Sequence, residues 1–191
     1  MPKTYLQREF EEHQSVAAAT LLAVASSFDQ LLAACVTSLR DGGKVFFFGN
    51  GGSAADAQHL ATELTVRFVE NRAPIAAMAL TTDTSALTAI GNDLGFEHLF
   101  SRQIQALGRA GDVAIGISTS GRSANVIAGL RAAKEKGMVP GALSGGDGGE
   151  LVGLADPLIT IPSRTTARIQ EMHIAVGQML CGALEIELDL V

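Results

Sequence analysis

The chain has 191 residues, a length that suits one domain able to bury roughly 70% of the surface it would expose unfolded. Its formal charge is −6 and its 14 Lys and Arg residues are scattered, which speaks against a nucleic-acid surface, because binding a phosphate backbone relies on clustered cations. An apolar fraction of 47% with no Trp and one Tyr predicts a core of Ala, Leu, Val, Ile and Phe, as where helices pack on a parallel sheet.

Met1 to Glu12 mix charges of both signs and lack an apolar stretch, so they do not read as a signal peptide, and no run of about 18 apolar residues follows. Cys35 and Cys181 lie in apolar helical patterns outside any C-x-x-C pair, which predicts buried free thiols. The expectation is a soluble, cytoplasmic protein that binds neither nucleic acid nor membrane.

From Tyr5 to Arg40 apolar residues recur at helical spacing (Leu21, Leu22, Ala25, Phe28, Leu31, Leu32, Cys35, Leu39), ended by Asp41-Gly42-Gly43. This predicts one long helix or two, used either in association between subunits or simply to cover a sheet face. Short apolar runs at Lys44–Phe48, Ile75–Leu80, Val113–Ile117, Val139–Leu143 and Leu158–Ile161 read as five strands. Helical patterns fill the intervals at Ala54–Val69, Thr84–Ile90, Glu97–Leu107, Ala124–Lys136 and, briefly, Gly149–Leu154, and a last helix spans Thr165 to about Leu188. Such alternation predicts an α/β fold, a parallel sheet with right-handed crossovers and helices on both faces. Pro140 cannot donate to a ladder and is expected at an edge or at a strand start.

Two glycine turns rich in hydroxyls follow the first and third strands: Gly49-Asn50-Gly51-Gly52-Ser53 and Ser118-Thr119-Ser120-Gly121-Arg122-Ser123. Glycine lets backbone approach an anion, N–H groups at a helix start point at it, and hydroxyls add donors without charge. Ser53 can equally cap the next helix, with Asp56 completing a variant capping box. The second turn holds four hydroxyls, more than a cap requires, and reads as a phosphate site. Neither turn has Walker A or G-x-G-x-x-G spacing, which disfavours nucleotide hydrolysis and dinucleotide binding.

His59 and Glu63 share a helix face at i and i+4, as a metal half-site, a general base or an ordinary surface pair would. Asn92-Asp93 reads as an Asx turn or as a contact to substrate hydroxyls. Gln170 and Gln178 lie two turns apart on one side of the last helix with His173 nearby, and need a ligand, a metal or a neighbouring subunit as partner.

Together with Asp56-Ala57-Gln58-His59, Gly91-Asn92-Asp93, Gly116-Ile117-Ser118-Thr119-Ser120-Gly121, Asp147-Gly148-Gly149 and Arg168-Ile169-Gln170-Glu171, the first turn makes the chain similar, over nearly its whole length, to the sugar isomerase (SIS) fold and within it to the phosphoheptose isomerases. The resemblance implies a single SIS domain over 1–191, a three-layer Rossmann-like fold around a five-stranded parallel sheet, with 1–40 as a helical segment used in oligomerisation. It further implies a homotetramer with active sites between subunits. That tetramer would interconvert D-sedoheptulose 7-phosphate and D-glycero-D-manno-heptose 7-phosphate for the ADP-heptose of lipopolysaccharide core.

In that likeness Ser118, Thr119, Ser120 and Ser123 hold phosphate, and Asn50, Gly51, Gly52, Ser53, Asn92, Asp93 and Gln170 line the sugar. Glu63 is the general base, and His59, Glu63, Gln170 and Gln178 stand at the ligand positions of one zinc ion per subunit. The family has His where Gln178 stands, as zinc ligand and general acid. Glutamine has no titratable proton, so either the acid role would pass to water, His173 or another group, or the activity would be reduced or altered. Two alternatives are a non-catalytic SIS paralogue that binds the bacterial replication initiator, which Gln178 favours, and an isomerase or sensor for another phosphosugar.

Overall fold

A computed structural model of the chain, describing residues 2–191, places five parallel strands in the middle of three layers. The strands are β1 (Val45–Gly49), β2 (Ala77–Ala79), β3 (Val113–Ser118), β4 (Val139–Gly145) and β5 (Leu158–Ile161), in the spatial order β2-β1-β3-β4-β5. The helices are α1 (Tyr5–Arg40), α2 (Gly52–Thr65), α3 (Thr84–Asp93), α4 (Leu99–Leu107), α5 (Ala124–Glu135) and α6 (Thr166–Glu187).

Side-chain alternation divides the core in two. Val45 and Phe47 of β1 face one way, with Ile115, Ile117, Leu143 and Ile159, onto α1, α2 and α6. Phe46 and Phe48 face the other, with Ala114 and Ala142, onto α4 and α5. Chain order reverses between β1 and β3, so α2 and α5 leave neighbouring strands on opposite faces. A parallel sheet opens its ligand crevice at this switch point, and both glycine turns stand there.

The first helix is continuous, started by a capping box in which Thr4 accepts from the Gln7 backbone and Gln7 from the Thr4 backbone. Its apolar stripe is not one face: Leu31 and Cys35 are fully buried, whereas Leu21 and Leu22 are 71% and 85% exposed. One 18-residue stretch of α1 reaches a mean hydropathy of 1.6 with 22% buried, so an apolar stretch of that length is present after all. Pro140 lies at the start of an inner strand, not at an edge, ahead of the β5 pairing that begins at Ala142.

Several boundaries moved for identifiable reasons. The second helix ends at Thr65, short of Val69, because the Arg72 guanidinium takes the carbonyl oxygens of Glu63 and Leu64 in its last turn. The capping alternative for Ser53 does not hold: Gly51 is the N-cap, and Ser53 is buried within the first turn of α2. The Asn92-Asp93 turn is helical, the end of α3, with Asn92 donating to Asp93 at 2.7 Å. The helix expected from Glu97 divides into a 3₁₀ turn (Phe96–His98) and α4, and that expected at Gly149–Leu154 is a single 3₁₀ turn (Gly149–Leu151).

Candidate functional site

The two turns stand side by side because Gly49 of β1 is in register with Ile117 of β3. Gly51 adopts φ +54°, which lets the chain pass from strand to helix within two residues. The N–H groups of Gly52 and Ser53 have no carbonyl four residues back inside α2, so they are donors for an outside acceptor. In the second turn Gly121 sits at φ +63°, and the Ser118 and Ser123 hydroxyls are 3.0 Å apart. Ser123 is the N-cap of α5, yet its hydroxyl makes no cap hydrogen bond. It therefore stands at a helix start with its oxygen shared only with the Ser118 hydroxyl, leaving the α5 N–H groups uncapped for a ligand.

The loop after β4 clamps this second turn. The Glu150 N–H donates to Gly121 O at 2.9 Å, and a β-carbon on Gly121 would lie 2.1 Å from Gly148 O. Arg122 donates to Asp147 at 2.7 Å across the rim; the pair raises the Arg122 guanidinium and holds the Asp147 carboxyl below the usual carboxylate range. Between this turn and the start of α6 lies a cavity of about 530 Å³, lined by Thr119, Ser120, Asp147, Arg164, Thr166 and Ile169 among others.

Beyond the first turn, α2 and α6 run side by side in the same direction. Gly177 allows the contact, since a β-carbon there would lie 2.6 Å from Leu60 Cδ1. That approach joins three groups. His59 Nε2 is 3.0 Å from Glu63 Oε1 and 3.2 Å from the amide nitrogen of Gln178. One ring nitrogen carries either a proton or a lone pair, so it can serve the carboxylate or the amide N–H, not both. Gln170 is not drawn in; its amide nitrogen would lie 3.0 Å from a β-carbon on Gly52, about 10 Å along α2 from His59. Among the described residues no three His, Cys, Asp or Glu side chains gather as a metal cluster, since two of the four expected ligands are glutamines.

Asn92 and Asp93 are exposed on α3, and no hydrogen bond ties them to the other candidates. His173 is fully buried, its Nε2–H donating to Ser144 O at 3.0 Å and its Nδ1 without a partner. Burial drives its pKa from 6.5 down to about 4. The ring is neutral and walled off, which removes His173 as a general acid.

Asp56, read from sequence as a capping partner and one turn before His59, has its carboxyl pKa raised by burial, in part offset by His59. One residue escaped the motif reading. Asn125 is 2% exposed and exchanges two 2.8 Å hydrogen bonds with Asn50. An asparagine just inside a helix start reads from sequence as routine capping chemistry, so nothing in its spacing set it apart.

The SIS domain profile matches residues 10–145. The chain is 58% identical over 182 residues, 95% of either sequence, to the phosphoheptose isomerase of Paramagnetospirillum magneticum. It superposes with a TM-score of 0.89 on the phosphoheptose isomerase structure from Neisseria gonorrhoeae, at 46% identity, covering 95% of this chain and 97% of that one. The corresponding structure from Francisella tularensis gives a TM-score of 0.91 at 35% identity, covering 96% and 100%.

Proposed function

The chain belongs to the SIS-domain family and, within it, to the phosphoheptose isomerases, and from that membership we propose that it interconverts D-sedoheptulose 7-phosphate and D-glycero-D-manno-heptose 7-phosphate. The observation that carries the proposal is the pairing of the hydroxyl turn at the end of β3 with Glu63 on the helix that follows the turn at the end of β1. The hydroxyl turn suits a phosphate, and Glu63, about 16 Å along α2 from Gly52, offers a carboxylate to a carbon acid in a site completed between subunits.

Ser118, Thr119, Ser120 and Ser123 hold the phosphate by hydroxyl and backbone donors. Asn50, Gly51, Gly52, Ser53, Asn92, Asp93 and Gln170 line the carbon chain. Glu63 takes the proton from the hydroxyl-bearing carbon beside the carbonyl and returns it to the former carbonyl carbon. Meanwhile a hydroxyl proton passes between the two oxygens, so that the ketose and the aldose differ only in where the carbonyl stands. Its carboxylate meets His59 Nε2 at 3.0 Å, while its backbone carbonyl receives Arg72 at 2.8 Å.

The donor set suits a cation. Ligand atoms on a tetrahedral zinc with bonds near 2.0–2.1 Å lie about 3.3 Å apart, close to the 3.0 and 3.2 Å separations around His59 Nε2. A positive ion among His59, Glu63 and Gln178 also removes the competition for one ring nitrogen once the Gln178 amide turns its oxygen inward. Those three residues would hold a zinc, with Gln170 the remaining family position, and the ion would polarise the sugar carbonyl. An amide oxygen in place of an imidazole makes the set harder and the hold on zinc weaker.

The exposed Leu21 and Leu22 on α1 support association through residues 1–40 into a homotetramer with sites between subunits. The setting we infer is cytoplasmic, in the supply of ADP-heptose for lipopolysaccharide core. The rival reading, a non-catalytic paralogue that binds the replication initiator, rests on Gln178 and a loose likeness around Ala167-Arg168-Ile169 and Glu171-Met172-His173, and the 58% identity to a phosphoheptose isomerase favours the enzyme.

Replacing Glu63 with Gln keeps the shape and removes the base. Turnover of sedoheptulose 7-phosphate should fall by roughly 10²–10⁴-fold, while binding measured by calorimetry stays within a few-fold. Undiminished turnover would remove Glu63 from the mechanism.

A further inference from the structure

Each primary amide has two N–H donors and an oxygen with two lone pairs. In the Asn50–Asn125 pair each side chain gives one N–H and accepts one, both at 2.8 Å, so the two amides close a hydrogen-bonded ring. Asn125 is buried at 2% exposure on the first turn of α5, two residues after Ser123. Asn50 is half-buried at the end of β1, immediately before the Gly51 turn. The ring therefore bridges the switch point, from the helix that rises out of the hydroxyl turn to the turn that precedes Glu63. Of the two, Asn50 is the one within reach of a ligand: it is partly exposed, whereas Asn125 is sealed at 2% exposure.

From this arrangement we propose that Asn125 is a positioning residue, which acts on the sugar only through Asn50 by setting the plane in which the Asn50 amide meets the substrate hydroxyls. The proposal rests on the phosphosugar reading of the crevice. It makes the phosphate end and the sugar end one device: α5, which starts at the phosphate turn, also orients the amide that faces the carbon chain. Without Asn125, Asn50 is free to rotate about its χ angles, and a contact aligned for the transition state becomes intermittent.

The test is a double-mutant cycle with Asn50→Ala, Asn125→Ala and the double variant, with Asn125→Leu as the isosteric check. Asn125→Leu keeps the volume, adds no charge and removes both polar atoms, so it tests the pair even where Asn125→Ala unfolds. Two ligands are compared by calorimetry and by kinetics: sedoheptulose 7-phosphate and inorganic phosphate as a competitive inhibitor. Asn125→Ala and Asn125→Leu should each lower kcat/KM about tenfold, chiefly through kcat, and leave the inhibition constant of inorganic phosphate within twofold. The double variant should be no worse than Asn50→Ala. Additive losses, or a phosphate constant that weakens in step with KM, would show that Asn125 merely supports the phosphate turn and would overturn the proposal. If the wild-type protein turns over nothing, the isomerase reading fails, yet the binding cycle with sedoheptulose 7-phosphate still decides for or against Asn125. No binding of that sugar at all would overturn both.

Discussion

His173 offers a pH test of the core that supports the site. An unfolded chain protonates this ring below its ordinary pKa of 6.5, whereas the buried ring takes a proton only near 4. Between those values the unfolded state binds one more proton than the folded state, so stability falls as the pH drops from 6.5 to about 4 and levels off below. The interval corresponds to about 3 kcal/mol at about 1.4 kcal/mol per tenfold change in proton affinity. The structural cause is plain: His173 is fully buried between α6 and the end of β4, one nitrogen already committed to Ser144 O and the other facing no acceptor for a second proton. The assay is urea unfolding from pH 7 to pH 4 at fixed protein concentration, in the wild type and in His173→Gln. Glutamine keeps an N–H near Ser144 O without a titrating group. Carboxylates titrate in both proteins and cancel in the difference, so the wild-type midpoint should lose roughly 1 M more urea than the variant over that range. Parallel curves would refute the assignment of a neutral buried imidazole, and would reopen His173 as a proton donor.

Three further outcomes follow from the same packing. Gly121→Ala puts a β-carbon 2.1 Å from Gly148 O at φ +63°; it should cost more than about 1 kcal/mol in thermal unfolding and raise KM, and an unchanged KM would separate the turn from phosphate binding. Glu185→Gln leaves the Arg72 guanidinium, 1% exposed, without its anion, and should cost about 3–5 kcal/mol in urea unfolding, with a loss under 1 kcal/mol counting against the pair. Gln178→His restores a second imidazole beside His59 and should tighten zinc at least about tenfold by calorimetry, whereas equal affinities would mean that Gln178 faces away from the ion.

The family, the five strands and the positions of the two glycine turns were legible in the linear chain because each rests on short-range chemistry, whereas the strand order β2-β1-β3-β4-β5 came only with the fold. Apolar runs of four to six residues marked the strands, and Gly and Ser at their ends marked the tight turns into α2 and α5. The pair His59 and Glu63 was legible for the same reason, since i,i+4 spacing on a helix nearly dictates contact, and they meet at 3.0 Å. Other contacts depend on residues far apart in sequence. Arg72 ends α2 early by reaching its last carbonyls from a loop, and Asn125 meets Asn50 across 75 residues. Gln170 and Gln178 looked alike on the helix, yet packing of α6 along α2 sends one amide to Gly52 and the other to His59. His173 was one candidate for the acid role, and the fold buries it completely. Periodicity reports which face of an element turns inward, but what that face meets, and how dry the meeting is, follows only from how α1, α2 and α6 pack on the sheet, because burial and pairing are properties of two elements and not of one.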